Sequence, residues 1–326
     1  MLKHLLLVSQ NSQDEQALFN WMLTVAQSQQ ASITLLRVQP EPDVGILLWF
    51  DRVLPMEVKR QQVQTIRDEW TPWKERAAQA GVTLNTEVLF GKPFYKAIQY
   101  VITHSVDWLI KQTDEPMSGL EGSLFDSQDK HLLRKCPCPV LLHKKGGALP
   151  FKKIMASIDV DLDAETPAPC PFNQAILKSA LQIAQQGGGN SESTELAVNY
   201  LEVVHAWQAD AENLVHYWNP DLSEADLLKW TETVRQQHLT AVEQEIEALN
   251  APEVMVDIVL PKGAATEVIP QVAAQHQIDL LVLGTLGRNG LPGMIIGNTS
   301  ESILEKINCS VLALKPDDFV SPISAT

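Results

Sequence analysis

Short apolar runs, each introduced by basic or turn residues, alternate along this chain with longer stretches whose apolar positions recur every three or four residues. The short runs are strand-sized and the longer ones have the period of amphipathic helices. Their alternation predicts a mostly parallel sheet with helices on its faces. In the C-terminal half the pattern places strands at 153–158, 197–205, 255–260, 280–283 and 311–314, with helices near 173–185, 224–249, 264–276 and 299–306. The longest helix carries Leu227, Leu228, Val234, Leu239, Val242, Ile246 and Leu249 at helical spacing with acidic residues between them. Glu243, Glu245 and Glu247 therefore read as a solvated face and not as a metal cluster. The tract Gly187 to Ser193 reads as a flexible surface loop before the second strand of that half.

The pattern occurs twice. Leu2-Lys3-His4-Leu5-Leu6-Leu7-Val8 resembles Phe151-Lys152-Lys153-Ile154-Met155-Ala156-Ser157, a basic pair leading into an apolar strand. Val106-Asp107-Trp108-Leu109-Ile110 matches Ile278-Asp279-Leu280-Leu281-Val282 at an offset of 172, and Cys138 to Lys144 matches Cys309 to Lys315 at an offset of 171. Matches in the same order, the last two at nearly the same offset, predict two copies of one domain, at 1–146 and 151–316, followed by a C-terminal tail at 317–326. The Gly/Pro-containing stretch from Lys144 to Pro150 is the predicted linker.

Composition fits this division: 326 residues, 45% hydrophobic and 20% charged, suit two globular domains. The net charge of −15 is not shared between them, since residues 1–148 carry 16 basic and 16 acidic side chains and the remainder 9 against 24. With no basic surplus in either half, direct nucleic-acid binding and attraction to anionic membranes are disfavoured. The apolar runs are far shorter than the roughly 18 residues of a membrane span, and the first residues lack the long apolar region of a signal peptide. The expected location is the cytoplasm. Cys136, Cys138, Cys170 and Cys309 form no disulfide framework. Cys136-Pro137-Cys138-Pro139, with His131 or His143 nearby, is half of a zinc pattern at most; its prolines read better as ending a helix and starting a strand.

Five of the 16 glycines fall between Gly284 and Gly297, directly after the strand at 280–283 and before a helix starting near Asn298. In a parallel α/β sheet the carboxyl end of a strand feeding a helix N-terminus is where ligands bind. Glycine allows close backbone approach, so the N–H groups of such a loop converge on phosphate oxygens with help from the helix dipole. Asn298, Thr299 and Ser300 add side-chain donors. Neither the P-loop nor the dinucleotide fingerprint fits this spacing. On composition alone, a long surface turn remains the competing reading.

Gly284-x2-Gly287-x9-Gly297, followed by Asn298-Thr299-Ser300-Glu301, resembles the G-2x-G-9x-G-[ST] ATP-binding signature of universal stress proteins. The resemblance covers the chain as two tandem copies. It implies two open, parallel, five-stranded α/β sheets flanked by helices, of the adenine nucleotide alpha hydrolase-like type. It further implies that Asp159 lies at the adenine and ribose side, that the Ala206 backbone meets adenine, and that Gly284 and Gly287 line ribose and phosphate. Gly297, Asn298, Thr299 and Ser300 match the phosphate-binding turn, with Arg288 the basic residue of the loop. ATP, or AMP or ADP, with Mg2+ is the implied cofactor. One departure is Asn298, where the family has Ser or Thr; an amide still donates to phosphate. For Asp159 alone, a strand-terminal turn residue is an equally good reading.

The first copy departs further. Gln112 stands for Gly284, Glu115 for Gly287, Asp126 for Gly297 and Gln10 for Asp159, and carboxylates around a phosphate site repel it. This copy is not expected to bind ATP in the family manner. Its apolar run Leu47, Leu48, Trp49, Phe50, Val53, Leu54 and Met56 suggests packing against another domain or chain, or a pocket for an apolar ligand such as an acyl chain. No catalytic residue and no protein-held metal are assigned. Arg288 and Lys262 are the basic residues near the loop, with no His or Cys beside it, and a first-turn Glu301 fits a capping or dipole role. The expected function is nucleotide-dependent sensing or regulation in stress, including resistance to DNA damage. The alternatives are a weak ATPase or phosphotransfer enzyme and a nucleotide-independent interaction protein. Pairing of the two copies as a pseudo-dimer, and a homodimer, follow from the resemblance as expectations.

Overall fold

In the computed structural model the described residues are 2–41, 55–113, 124–160, 162, 169–187, 199–209, 223–251, 254–286 and 296–324. The chain divides into two compact units, Met1–Leu149 together with Asp317–Thr326, and Pro150–Pro316.

Unit 1 runs β1 (His4–Val8), α1 (Gln16–Gln29), β2 (Ser32–Gln39), α2 (Pro55–Glu69), α3 (Thr71–Gln79), β3 (Leu84–Phe90), α4 (Pro93–His104), β4 (Trp108–Gln112), α5 (Ser127–Lys135) and β5 (Val140–His143). Unit 2 runs β6 (Ile154–Ser157), α6 (Pro171–Gly187), β7 (Asn199–Val204), α7 (Glu224–Glu247), β8 (Val254–Val259), α8 (Ala265–Gln275), β9 (Leu280–Gly284), α9 (Asn298–Lys306) and β10 (Ser310–Leu314). In unit 1 the strands lie in the order β3-β2-β1-β4-β5, and in unit 2 the same order recurs as β8-β7-β6-β9-β10. Every pairing within each five-strand set is parallel. Leu5, Leu6 and Leu7 in β1, and Leu280, Leu281 and Val282 in β9, are completely buried. Central parallel strands are covered on both faces, which is why they read as unbroken apolar runs and not as alternating ones. The first strand of each unit pairs with its second on one side and its fourth on the other. The order therefore reverses at β1/β4 and β6/β9, which opens a crevice at the carboxyl ends of those strands.

The segment after β10 packs on unit 1. Ser321 Oγ donates to the Lys135 carbonyl at 2.7 Å, Gln99 Nε2 donates to the Ser324 carbonyl at 3.3 Å, and Ile323 is buried. Of the apolar run after β2, residues 47–54 lie outside the described set and Met56 is exposed on α2. The tract 188–193 also lies outside it, and Gly187 is the last residue of α6. Helix α5 ends at Lys135 and β5 begins at Val140, so Cys136 to Pro139 form the break between them. The Cys136 and Cys138 sulfurs are 3.6 Å apart.

At the carboxyl ends of its strands, unit 1 carries internal ion pairs. Asp126 caps α5 by accepting from the Asp129 N–H at 2.7 Å, and Asp129 Oδ2 accepts in return from the Asp126 N–H at 3.3 Å. Asp129 Oδ1 also accepts from Lys111 Nζ at 2.7 Å, with both side chains buried. Nearby in the fold, Ser9 Oγ donates to Glu15 at 2.6 Å, and Arg37 Nη2 donates to Ser9 at 3.2 Å and to Glu69 at 3.4 Å. The chain's own carboxylates thus occupy the N-terminus of α5, where an anionic ligand would otherwise be held.

This burial makes unit 1 a proton-linked structure. Burial, with the neighbouring Asp126 charge, raises the Asp129 carboxyl to about 6 against the opposing pull of Lys111. Burial lowers the His143 imidazole to about 4. Below pH 6 the folded state binds the Asp129 proton better than the unfolded state, so this group adds stability as pH falls through 6 toward the ordinary carboxylate range. His143 does the reverse: the unfolded state takes up its proton below pH 6.5, so stability is lost as pH falls from 6.5 toward 4. Each effect is on the order of 2–3 kcal/mol, and the two nearly cancel. We predict that His143→Gln makes unit 1 gain stability relative to wild type as pH drops from 6.5 to 4, and that Asp129→Asn makes it lose stability. Urea unfolding across that range checks both slopes; parallel curves for the variants and wild type would contradict the assignment.

Candidate nucleotide site

Two adjoining cavities open at the carboxyl ends of the unit 2 strands, with volumes of about 610 and 860 Å3. Asp159, Val160, His205, Ala206, Ala265 and Thr299 belong to the walls of both. The smaller is completed by Gly284, Gly297, Ser300 and Phe172, among others, and the larger by Trp207, Gln237, His238 and the turn Gly263 to Thr266. Either volume lies in the range of small-molecule sites.

The sequence-predicted residues Asp159, Ala206, Gly284, Gly297, Thr299 and Ser300 all meet at the smaller cavity. Asn298 is exposed at the first position of α9. Gly287 and Arg288 lie outside the described residues. Gly297 is the N-cap of α9, with no side-chain cap, and its own N–H donates to the Thr285 carbonyl at 2.7 Å. A helix start without a capping side chain presents its first-turn N–H groups to the space in front of it. The Ser300 hydroxyl donates inward to the Gly284 carbonyl at 2.8 Å, so it ties α9 to β9.

Gly284 has a packing reason of its own. A Cβ at this position would lie 2.4 Å from Phe172 Cε1 and 3.3 Å from Ile176 Cδ1, so the missing side chain makes room for the first turn of α6. Gly284→Ala is expected to destabilise unit 2 by about 1–3 kcal/mol through overpacking, and a second substitution, Phe172→Leu, to recover most of the loss. A double-mutant cycle by denaturant unfolding measures this. Additive losses would show that the two do not meet.

Asp159 is positioned through its backbone. Its N–H donates to Asn173 Oδ1 at 3.4 Å, and Asn173 Nδ2 donates to its carbonyl at 2.8 Å. Behind Asn173 sits Glu245, which corrects the reading of its helix face as solvated. Glu243 and Glu247 are exposed, but Glu245 is buried and accepts from the Cys170 N–H at 2.8 Å, Asn173 Nδ2 at 2.9 Å and Gln174 Nε2 at 2.8 Å. Position 245 lies one turn beyond the buried Val242, on the inward stripe of α7, and three donors satisfy the carboxylate there. Spacing alone could have placed it inside; its charge argued otherwise.

A second correction concerns the groups around the loop. Linear sequence puts no His or Cys beside it, yet His205 and Cys170 share the cavity wall with Gly284 and Gly297. The topology delivers them from β7 and the start of α6. His205 Nδ1 lies 3.3 Å from the Ile158 carbonyl, and Nε2 lies 2.9 Å from His238 Nδ1 on α7. Lys315 was likewise missed: its buried ammonium donates to Thr285 Oγ1 at 2.8 Å, underneath the start of the glycine-rich loop. Lys262 sits over the Trp207 ring at 5.8 Å. The described residues contain no group of three or more His, Cys, Asp or Glu side chains arranged to hold a metal ion.

Two tandem units, each a parallel five-stranded sheet flanked by helices, with a glycine-capped helix start at the strand-order reversal of the second, define a tandem parallel α/β protein. The family is shown by comparison: the model of the Universal stress protein family matches residues 1–144 and 187–315, and the chain belongs to that family. It is 32% identical over 275 residues to universal stress protein E of Salmonella typhi, covering 81% of this chain and 79% of the relative. Against universal stress protein E of Escherichia coli K12 it is 30% identical, covering 80% and 78%. Among solved structures it is similar to a functionally unknown protein of Pseudomonas aeruginosa PAO1, with a TM-score of 0.64, 22% identity, and 97% and 94% of the two chains covered. A universal stress protein of Archaeoglobus fulgidus gives a TM-score of 0.56 at 14% identity, covering 96% and 98%. No helix among the described residues is long and apolar enough to cross a membrane.

Proposed function

We propose that unit 2 binds an adenine nucleotide, as ATP, ADP or AMP, and that occupancy of this cleft governs a regulatory output in stress, while unit 1 does not bind nucleotide in this manner. The observation that supports this reading best is the α9 N-terminus, uncapped by any side chain, opening at Gly297 into a cavity of about 610 Å3 at the strand-order reversal. In this reading the N–H groups from Asn298 to Ser300 receive the phosphates, and Asp159 and the Ala206 backbone face the ribose and base. Arg288 and Gly287 belong to the same loop by sequence. Mg2+ takes oxygen ligands; the nucleotide phosphates would supply most of them, with the Asp159 carboxylate and Thr299 hydroxyl among the side-chain oxygens on this wall. When bound, the ion would neutralise phosphate charge. This matters because the half of the chain that holds the cleft carries the whole net charge of −15 and attracts no anion by its overall field.

The test is to purify the protein without added nucleotide and identify any retained small molecule by mass spectrometry, followed by calorimetry with ATP and AMP. Retention or saturable binding of an adenine nucleotide supports the reading. Absence of both would leave an interaction protein that works without nucleotide.

A further inference from the structure

The two cavities hold Asp159, Cys170, His205 and His238 as their titratable wall groups, and no Lys or Arg is among the described residues lining them. Among these described wall groups an anionic ligand meets the Asp159 carboxyl, the Cys170 thiol and two imidazoles. The histidines are joined in one direction. Ile158 O only accepts, so His205 Nδ1 carries a hydrogen and donates to it at 3.3 Å. His205 Nε2 then presents its lone pair, and His238 Nδ1–H donates to it at 2.9 Å. Both tautomers are fixed by a single backbone carbonyl.

We propose that the His205–His238 pair is a charge-supplying element of this cleft: it takes up one proton when an anionic nucleotide binds and so contributes binding energy as an imidazolium. The proposal rests on the nucleotide reading above. One proton is the capacity of the arrangement. The incoming proton goes to His238 Nε2, which leaves the His238 Nδ1–H to His205 Nε2 bond intact and charge-assisted; a second would have to sit on His205 Nε2 and break it.

Burial disfavours charge on His205 in the absence of a ligand. His205 is buried, and that burial holds its imidazole below the ordinary histidine range, against the upward pull of Asp159 at the end of β6 and with a further downward push from His238. Just after β8, Lys262 stands over Trp207, and the Trp207 ring lies tilted 5.9 Å from His238. On α7 itself Arg235 is paired with Glu232, and Glu245 is bonded to the start of α6. On α8, Glu267 is paired with Lys306. Asp159 favours a charged imidazole and burial opposes it, so a ligand phosphate shifts the balance toward charge.

The test is isothermal calorimetry at pH 6.5 in two buffers of different ionisation enthalpy, on wild type and His238→Gln, with ATP and with a cyclic nucleotide. The cyclic phosphodiester exchanges no proton of its own near this pH, unlike a terminal phosphate with its pKa of about 6. Wild type should take up about 0.3–1 proton with either ligand beyond what the variant takes up, and its Kd should tighten about threefold or more from pH 7.5 to 6.0 while the variant's changes less. His238→Gln keeps an N–H for His205. If it does not fold, proton uptake by wild type with the cyclic nucleotide decides alone. Nucleotide binding with no uptake, or with the same uptake in the variant, overturns this proposal and leaves the nucleotide reading standing. No binding of either nucleotide to wild type overturns both.

Discussion

Replacing Gly297 with aspartate is expected to weaken nucleotide binding by unit 2 at least about 100-fold while leaving its folding stability unchanged or slightly raised. The expectation comes from the first unit, where Asp126 holds the N-cap position of α5 that Gly297 holds in α9. The Gly297 backbone, with φ −76° and ψ 142°, is an extended conformation open to any residue. An aspartate there accepts from a first-turn N–H and is a better cap than glycine by a few tenths of a kcal/mol. The same carboxylate places a negative charge where phosphate would sit, and two unit charges within about 4 Å repel by roughly 4 kcal/mol at an effective dielectric near 20. Binding and stability thus move in opposite directions. Calorimetry with ATP and thermal unfolding of Gly297→Asp read the two effects separately; retained affinity would place the nucleotide elsewhere.

The second large effect is structural. Glu245→Ala should destabilise unit 2 by about 3 kcal/mol, because the Cys170 N–H, Asn173 Nδ2 and Gln174 Nε2 lose the acceptor they share in a buried position. Glu245→Gln keeps one carbonyl oxygen and should cost about half as much. The loss reaches the cleft as well, since Asn173 is the residue that fixes both backbone groups of Asp159. Denaturant unfolding measures the first effect. A change below about 0.5 kcal/mol for Glu245→Ala would mean that these donors are satisfied otherwise.

The architecture was legible in the sequence because parallel strands buried on both faces leave unbroken apolar runs, and the repeat showed them twice. Strand positions 280–283 and 311–314 agree with β9 and β10 to within a residue. Gly284 and Gly297 were legible through spacing, and the structure brings them to one cavity with Asp159 and Ala206. What sequence hid has a common cause. Glu245, His205, His238 and Lys315 act through partners 71, 33 and 30 residues away, across elements that only the sheet order brings together. Local pattern reads a glutamate among glutamates as solvent-facing, and a histidine at a strand end as unremarked. The packing role of Gly284 was hidden too, because a glycine that yields to a phenylalanine ring looks the same in sequence as one that yields to a phosphate.

The two copies differ at the helix start where the proposed nucleotide site lies. In unit 1 the helix start is capped by Asp126, and Asp129 pairs with Lys111, so the positive end of the helix is neutralised from within. In unit 2 the equivalent helix start has glycine at the cap, and Ser300 turns its hydroxyl toward β9. The charge asymmetry between the halves points the other way from the helix caps: the neutral half has Asp126 at the cap of α5, while the acidic half has Gly297 at the cap of α9 and its first carboxylate, Glu301, further along the first turn. In the proposed reading, local dipoles and not net charge decide which unit receives an anion.

The stoichiometry of ATP binding to the intact chain, read by calorimetry and by native mass spectrometry, tests the central claim most directly. One nucleotide per chain, lost in Gly297→Asp and kept when Asp126 in unit 1 is changed to Ala, is the predicted result. Two nucleotides per chain, or one that survives Gly297→Asp, would contradict it.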